Sequence, residues 1–116
     1  METATITRAV AEIDTEVFGA MYRSGVPMAV FDARPPKPGA GRIRGARYLA
    51  PDAPEDIVSL AVPDKNALVV TYCGGLTCPA SARLAEHLRT LGYANVLRYP
   101  QGYAGWQQAG YPVDTT

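Results

Sequence analysis

The stretch "ALVVTYCGGLTCPASARLAEHLRTLGYANVLRYP", residues 67–100, carries the pattern on which the fold turns. Its opening, "ALVVTYC", is apolar almost throughout, as a strand covered on both faces of a parallel sheet must be. Gly74 and Gly75 interrupt the run. From residue 79 to 91 the spacing becomes helical: Leu84, Leu88 and Leu91 share one face, while Arg83, Glu86 and Arg89 fall on others. Gly92 ends that helix, and "NVLRYP" reads as a further strand.

The same alternation extends outward. "EIDTEVFGAMYRSG", 12–25, supports a helix capped by Asp14, with Glu16 in its first turn. Val17 with Met21 and Phe18 with Tyr22 are pairs four apart, and Gly25 is a natural stop. "PMAVFDAR", 27–34, reads as a short buried strand, although its length also fits a helix fragment. "PPKPGAG", 35–41, breaks both kinds of backbone ladder and is expected as a loop just past a strand end. Residues 46–66 suggest a short edge strand, a turn and a brief helix over 54–61, and "GYAGWQQAG" a last short helix before Pro112. Strands alternating with helices imply an α/β fold with an open, mostly parallel sheet flanked by helices. With no repeat, heptad or linker, residues 1–116 are expected to form a single domain.

Composition narrows the function. Apolar residues make up 47% and charged residues 19%, a globular balance, and 11 basic residues offset 11 acidic ones. No global field steers the chain to nucleic acid or to an anionic membrane. No apolar run approaches the roughly 18 residues of a spanning helix. The leading "METATITRAVAEIDTE" lacks an apolar signal-peptide core, so a cytoplasmic location is the default expectation. In a reducing compartment Cys73 and Cys78, the only cysteines, begin as thiols.

In parallel sheets, ligands sit beyond the carboxyl ends of the strands. Cys73 lies at such an end, as do Asp32 and Arg34. Gly74 and Gly75 can turn their N–H groups inward as an anion nest, Pro79 suits the first helical position, and the helix's positive end favours thiolate over thiol. The same residues also describe a buried cysteine before a tight turn, and taken alone they leave both readings open. Zinc is weakly served, since the Cys and His total is Cys73, Cys78 and His87. The thioredoxin spacing, with two residues between cysteines, is absent.

Taken in order along the chain, Asp32 and Arg34, "GRIRGA" at 41–46, Cys73, "LRTLGY" at 88–93, "NV" at 95–96 and "QGYAGW" at 101–106 resemble the single-domain rhodanese-like family. The resemblance spans nearly the whole chain. It implies an open α/β fold and a sulfurtransferase in which Cys73 accepts sulfane sulfur as a persulfide and passes it to a thiol or cyanide. Backbone N–H groups of Gly74, Gly75, Leu76, Thr77 and Cys78 would stabilise the persulfide. The implied partners are a small-molecule or protein sulfur donor and a thiol acceptor; neither an organic cofactor nor a metal is required.

The departures from the family pattern are chemical. Leu76 stands where a glycine is frequent and Cys78 where an arginine closes the loop. Arg42 replaces the usual histidine, Arg44 a proline and Gln101 a glycine. Without the loop arginine's planar fork, thiosulfate is the less expected donor. Arg34, Lys37, Arg42, Arg44 and Arg47 supply local basicity with no acid among them between residues 34 and 49. Arg34 and Arg42 are the candidates for anion binding, with Asp32 in support; the ordinary alternative for Arg34 is an ion pair with Asp32. Cys78 either resolves a persulfide on Cys73 or fills the arginine's place. His87 is expected on the surface, and Tyr99, Tyr103 and Trp106 in packing. The rival functions are a dithiol reductase using both cysteines, a phosphatase, which would need an arginine that residues 73–82 lack, and a non-catalytic rhodanese-like binding module.

Overall fold

The computed structural model describes residues 10–115; residues 1–9, which include most of the leading segment read above, and residue 116 lie outside it. The elements run β1 (Ala11–Glu12), α1 (Thr15–Arg23), β2 (Ala29–Asp32), β3 (Arg42–Ile43), β4 (Arg47–Tyr48), α2 (Glu55–Ala61), β5 (Leu68–Tyr72), α3 (Ala80–Thr90), β6 (Asn95–Tyr99), α4 (Gly102–Gln108) and β7 (Val113–Asp114). Five of the strands form one sheet in the order β1-β6-β5-β2-β4, and every pairing in it is parallel. This is the expected α/β architecture, with the apolar "LVVTY" in the middle.

Local chemistry sets the boundaries. The Asp14 side chain accepts the Val17 N–H at 2.9 Å and starts α1. Gly92, at φ 100°, lets the chain turn sharply after α3 and enter β6. Two helix starts fall one residue later than the spacing predicts: α2 begins after Pro54, and α3 after Pro79, whose carbonyl accepts the Arg83 N–H at 3.2 Å. The two-residue strands β1, β3 and β7 carry no readable period and are found only by their partners. β1 extends the main sheet beside β6, and β3 pairs antiparallel with β7.

Alternation along the central strands builds two cores. On one side of the sheet Phe31, Val69 and Val96 pack with Val58 of α2 and Leu84, Ala85 and Leu88 of α3. On the other, Val30, Val70, Tyr72 and Tyr99 pack with Phe18 of α1 and Trp106 of α4. Trp106 stacks near Phe18 and Tyr111, at 4.8 and 4.6 Å between ring centres, and donates its indole N–H to the Pro112 carbonyl at 2.8 Å. It thus ties α4, α1 and the C-terminal segment together, the packing role expected of it and of Tyr99.

One glycine fixes how α4 meets the segment after β5. At Gly102, φ is 64°, and a Cβ there would stand 2.4 Å from the Cys73 carbonyl oxygen and 2.8 Å from the Gly75 nitrogen. Gly110 has φ 84° but nothing within 4 Å of an added Cβ. Gly102→Ala should therefore cost about 2–4 kcal/mol, combining left-handed strain with overpacking against backbone. Gly110→Ala should cost only the strain, about 1–2 kcal/mol. Urea denaturation of both variants checks this; equal losses would show that the close approach contributes nothing.

Candidate functional site

Strands β2, β5 and β6 end level, because Asp32 pairs with Tyr72 and Tyr72 with Tyr99. The chain segments that leave these three ends are the Asp32–Arg34 corner, the loop opened by Cys73, and the turn through Gln101 into α4. Topology alone has brought the predicted residues to one edge of the sheet.

The Cys73 loop is held from below by α4. The N–H groups of Tyr103 and Ala104 donate to the carbonyls of Cys73 and Gly74 at 2.8 and 3.0 Å. In a trans peptide the N–H points opposite to the C=O, so the N–H groups of Gly74 and Gly75 are turned away from α4. Farther on, the Cys78 N–H donates to the Gly75 carbonyl at 3.2 Å and bends the loop back. The bend joins Cys73 and Cys78 in a disulfide with Cα atoms 6.2 Å apart. Cys73 is 2% exposed, whereas Cys78 is only half-buried; Leu76, 71% exposed, and Thr77 form the outer rim.

Beside the loop stands a polar cluster built on one carboxylate. Asp32 is 1% exposed and accepts three kinds of donor. The Arg34 backbone N–H reaches Oδ1 at 2.8 Å, Arg34 Nη2 reaches Oδ2 at 2.8 Å, and Arg34 Nε lies at 3.1 and 3.3 Å from the two oxygens. Arg34 Nη2 also donates to the Gly41 carbonyl at 2.9 Å, and the guanidinium lies over the Tyr103 ring at 5.1 Å. The ion pair foreseen as the ordinary role of Arg34 is thus made. The hydrogen bond to Asp32, opposed in part by burial, raises the Arg34 pKa further. Among the described residues Nη1 has no partner, and a Cβ at Gly74 would be 3.7 Å from Arg34 Cδ, which sets this arginine against the cysteine loop.

Arg42 approaches the same carboxylate less closely, with Nε 3.6 Å from Asp32 Oδ2, and that buried Nε makes no hydrogen bond. Asp32, Arg34, Lys37, Gly41, Arg42 and Ala46 are among the residues lining an open cavity of about 860 Å³. Tyr72, read from sequence only as a strand residue, belongs to the cluster too. Its hydroxyl accepts the Ile43 N–H at 3.1 Å, and burial first, then the charge of Asp32, push its pKa up. It therefore stays a neutral phenol at physiological pH. The signal for it was the register that sets Tyr72 beside Asp32.

Other sequence candidates are dispersed. His87 is half-buried rather than surface-exposed: its Nε2 donates to the Ala53 carbonyl at 2.6 Å, tying α3 to the chain before α2. Arg44 pairs with Asp114 at 3.0 Å, and Arg47 donates to the Ala61 carbonyl at 2.8 Å. Among the described residues no three His, Cys, Asp or Glu side chains gather as a metal site, and no helix is long and apolar enough to cross a membrane.

Comparison with solved structures places this arrangement among known folds. A Bacillus halodurans protein superposes with a TM-score of 0.81 at 20% identity, over 91% of this chain and 77% of that one. A thiosulfate sulfurtransferase from Pseudomonas aeruginosa matches at 0.77 and 22% identity, over 91% of this chain but 20% of its own. A Rhodopseudomonas palustris protein of unknown function, possible tyrosine phosphatase, matches at 0.72 and 22%, over 98% and 99% of the two chains. At such identities the likeness is one of fold. The sequence match is more specific: the model of the rhodanese-like domain covers residues 15–109, from the start of α1 to the end of α4, with the Cys73 loop and the Asp32 corner inside it. The chain belongs to the rhodanese-like domain family.

Proposed function

We propose that the chain is a sulfurtransferase in which Cys73 carries sulfane sulfur as a persulfide and yields it to a thiol or other nucleophile. The observation that carries this reading is the placement of Cys73 at the end of the central strand β5, in a loop whose Gly74 and Gly75 N–H groups face away from α4 and are open to a charged sulfur. A thiolate there attacks the sulfane sulfur, the desulfurated donor leaves, and the terminal sulfur is then offered to the acceptor. Amide dipoles aimed at that sulfur stabilise its negative charge without reorganising. The cluster on Asp32 would offer the donor's anionic end the guanidinium groups of Arg34 and Arg42.

The phosphatase reading has the Rhodopseudomonas palustris fold match in its favour. A phosphoryl group needs its equatorial oxygens gripped, and the segment from Cys73 to Ala82 supplies no arginine. Arg34, the nearest substitute, has Nε and Nη2 committed to Asp32. Sulfur transfer asks less of the loop.

The direct test is intact mass after brief mixing of the reduced protein with an alkyl hydropersulfide or with thiosulfate. Cys78→Ser, in which Cys73 is the one thiol, is expected to gain one sulfur atom and Cys73→Ser none, with thiocyanate formation from cyanide falling about a thousandfold or more in Cys73→Ser. No adduct on Cys78→Ser with either donor would leave the binding module as the better description.

The two arginines are expected to separate. Among the described residues Arg42 makes no hydrogen bond through Nε, so Arg42→Ala should lower kcat/KM for thiosulfate about tenfold while leaving that for an uncharged dialkyl trisulfide unchanged. Arg34→Ala strips a buried carboxylate of its main partner and should cost about 2 kcal/mol or more of stability and harm both donors. Equal losses with both donors for Arg42→Ala would make Arg42 a scaffold residue.

A further inference from the structure

The loop contains a second thiol that sulfur transfer to an external acceptor does not use. We propose that Cys78 is a resolving residue: it attacks the persulfide on Cys73, so that the protein reduces sulfane sulfur to sulfide at the expense of a dithiol. This rests on the persulfide reading above and adds a second fate for the same sulfur.

The geometry selects the atom attacked. Cys78 Sγ is bonded to Cys73 Sγ, with the Cα atoms 6.2 Å apart and the bend closed by the Cys78 N–H on the Gly75 carbonyl. The sulfur within reach of Cys78 is therefore the inner one, that of Cys73 itself. Attack there by the Cys78 thiolate forms the Cys73–Cys78 bond and breaks the bond to the outer sulfur, which leaves as hydrosulfide. The sulfane sulfur gains two electrons and the two cysteine thiols together lose them. The proton given up by Cys78 leaves with the sulfide. Attack on the outer sulfur, the route of an external acceptor, would only move the persulfide.

Exposure selects the return step. Cys73 is 2% exposed, while Cys78 is half-buried behind an open rim of Leu76 and Thr77. An external dithiol therefore meets Cys78 Sγ first. The Cys73 thiolate departs towards the Gly74 and Gly75 amides, and an anion stabilised in that way is the better leaving group. The dithiol's second thiol then closes its own disulfide and frees Cys78. The sum is sulfane sulfur plus dithiol giving sulfide plus cyclic disulfide. The co-substrate is thus a dithiol; a monothiol can reduce the disulfide only by a second encounter.

The test loads the reduced full chain, wild type and Cys78→Ser, with one equivalent of an alkyl hydropersulfide, whose outer sulfur passes to Cys73 as the alkyl thiolate leaves, removes the excess, and follows sulfide and intact mass together. In the wild type, one sulfide per chain is expected, with a protein lighter than the reduced form by two hydrogens. In Cys78→Ser the added sulfur should persist at least about tenfold longer, because an intramolecular thiol acts at far higher effective concentration than any in solution. Wild type and Cys78→Ser holding the sulfur equally long would overturn the resolving role and leave the transferase intact. Failure of Cys78→Ser to take up sulfur, in a variant that keeps its native circular dichroism, would overturn the persulfide reading and this inference with it.

Discussion

Parallel strands cannot slip against one another without turning every buried side chain to the wrong face, and here that constraint levels three strand ends at once. Asp32, Tyr72 and Tyr99 are ladder partners across β2, β5 and β6. Once Val30, Val70 and Leu97 are matched inside the sheet, the residues that follow each strand emerge side by side. The Ala33 N–H then continues the ladder to the Tyr72 carbonyl at 2.9 Å, and the Leu49 N–H to the Asp32 carbonyl at 3.0 Å. The edge on which the loop stands is as fixed as the core beneath it.

What this edge holds is costly to bury, and the cost is met locally. A carboxylate almost without solvent contact must be compensated by hydrogen bonds and opposite charge. Asp32 receives both from Arg34, two residues on, through backbone and guanidinium together. That short arc bends the chain out of β2, and the Gly41 carbonyl on Nη2 secures the far side of the proline-rich loop. Tyr72 lies beside them, with Ile43 hydrogen-bonded to its hydroxyl, so the β3–β7 pair is anchored to the central strand through one side chain. Loss of Asp32 would leave Arg34 without its main partner and loosen the corner and the proline-rich loop that Arg34 holds.

The sequence made the main sheet legible because its strands are buried on both faces and its long helices are amphipathic; "ALVVTYC" and the leucine row of α3 admit few other readings. The cysteine loop was legible as a strand-end position. The two-residue strands β1, β3 and β7 were not; β3 and β7 exist only through a pairing across some seventy positions, visible as Arg42 opposite Asp114. His87 misled for a related reason. On its own helix it lies among polar neighbours, and only the Ala53 carbonyl, brought there by the tertiary fold, makes it a half-buried hydrogen-bond donor. Gln101 is the reverse case: its side-chain oxygen is buried without a partner among the described residues, and nothing there explains it.

Placing a cysteine where related loops carry an arginine changes what the loop can do, beyond weakening one contact. A guanidinium would hold an oxyanion permanently and leave the electron count of the site untouched. A thiol holds no anion, but it can exchange two electrons with its neighbour. The positive charge removed from the loop is supplied from outside it, by Arg34 and Arg42 assembled on Asp32. That division separates two tasks that an arginine-closed loop combines. Under the proposed function, charge recognition would fall to the strand-end corner and sulfur chemistry to the glycine loop in which Cys73 and Cys78 meet. On the proposed resolving step, closing the pair would remove the nucleophile, so the bond that releases sulfide would also stop further uptake until a reductant arrives. The oxidation state of the loop, rather than donor binding alone, would then set how often an anion bound at the corner is put to use.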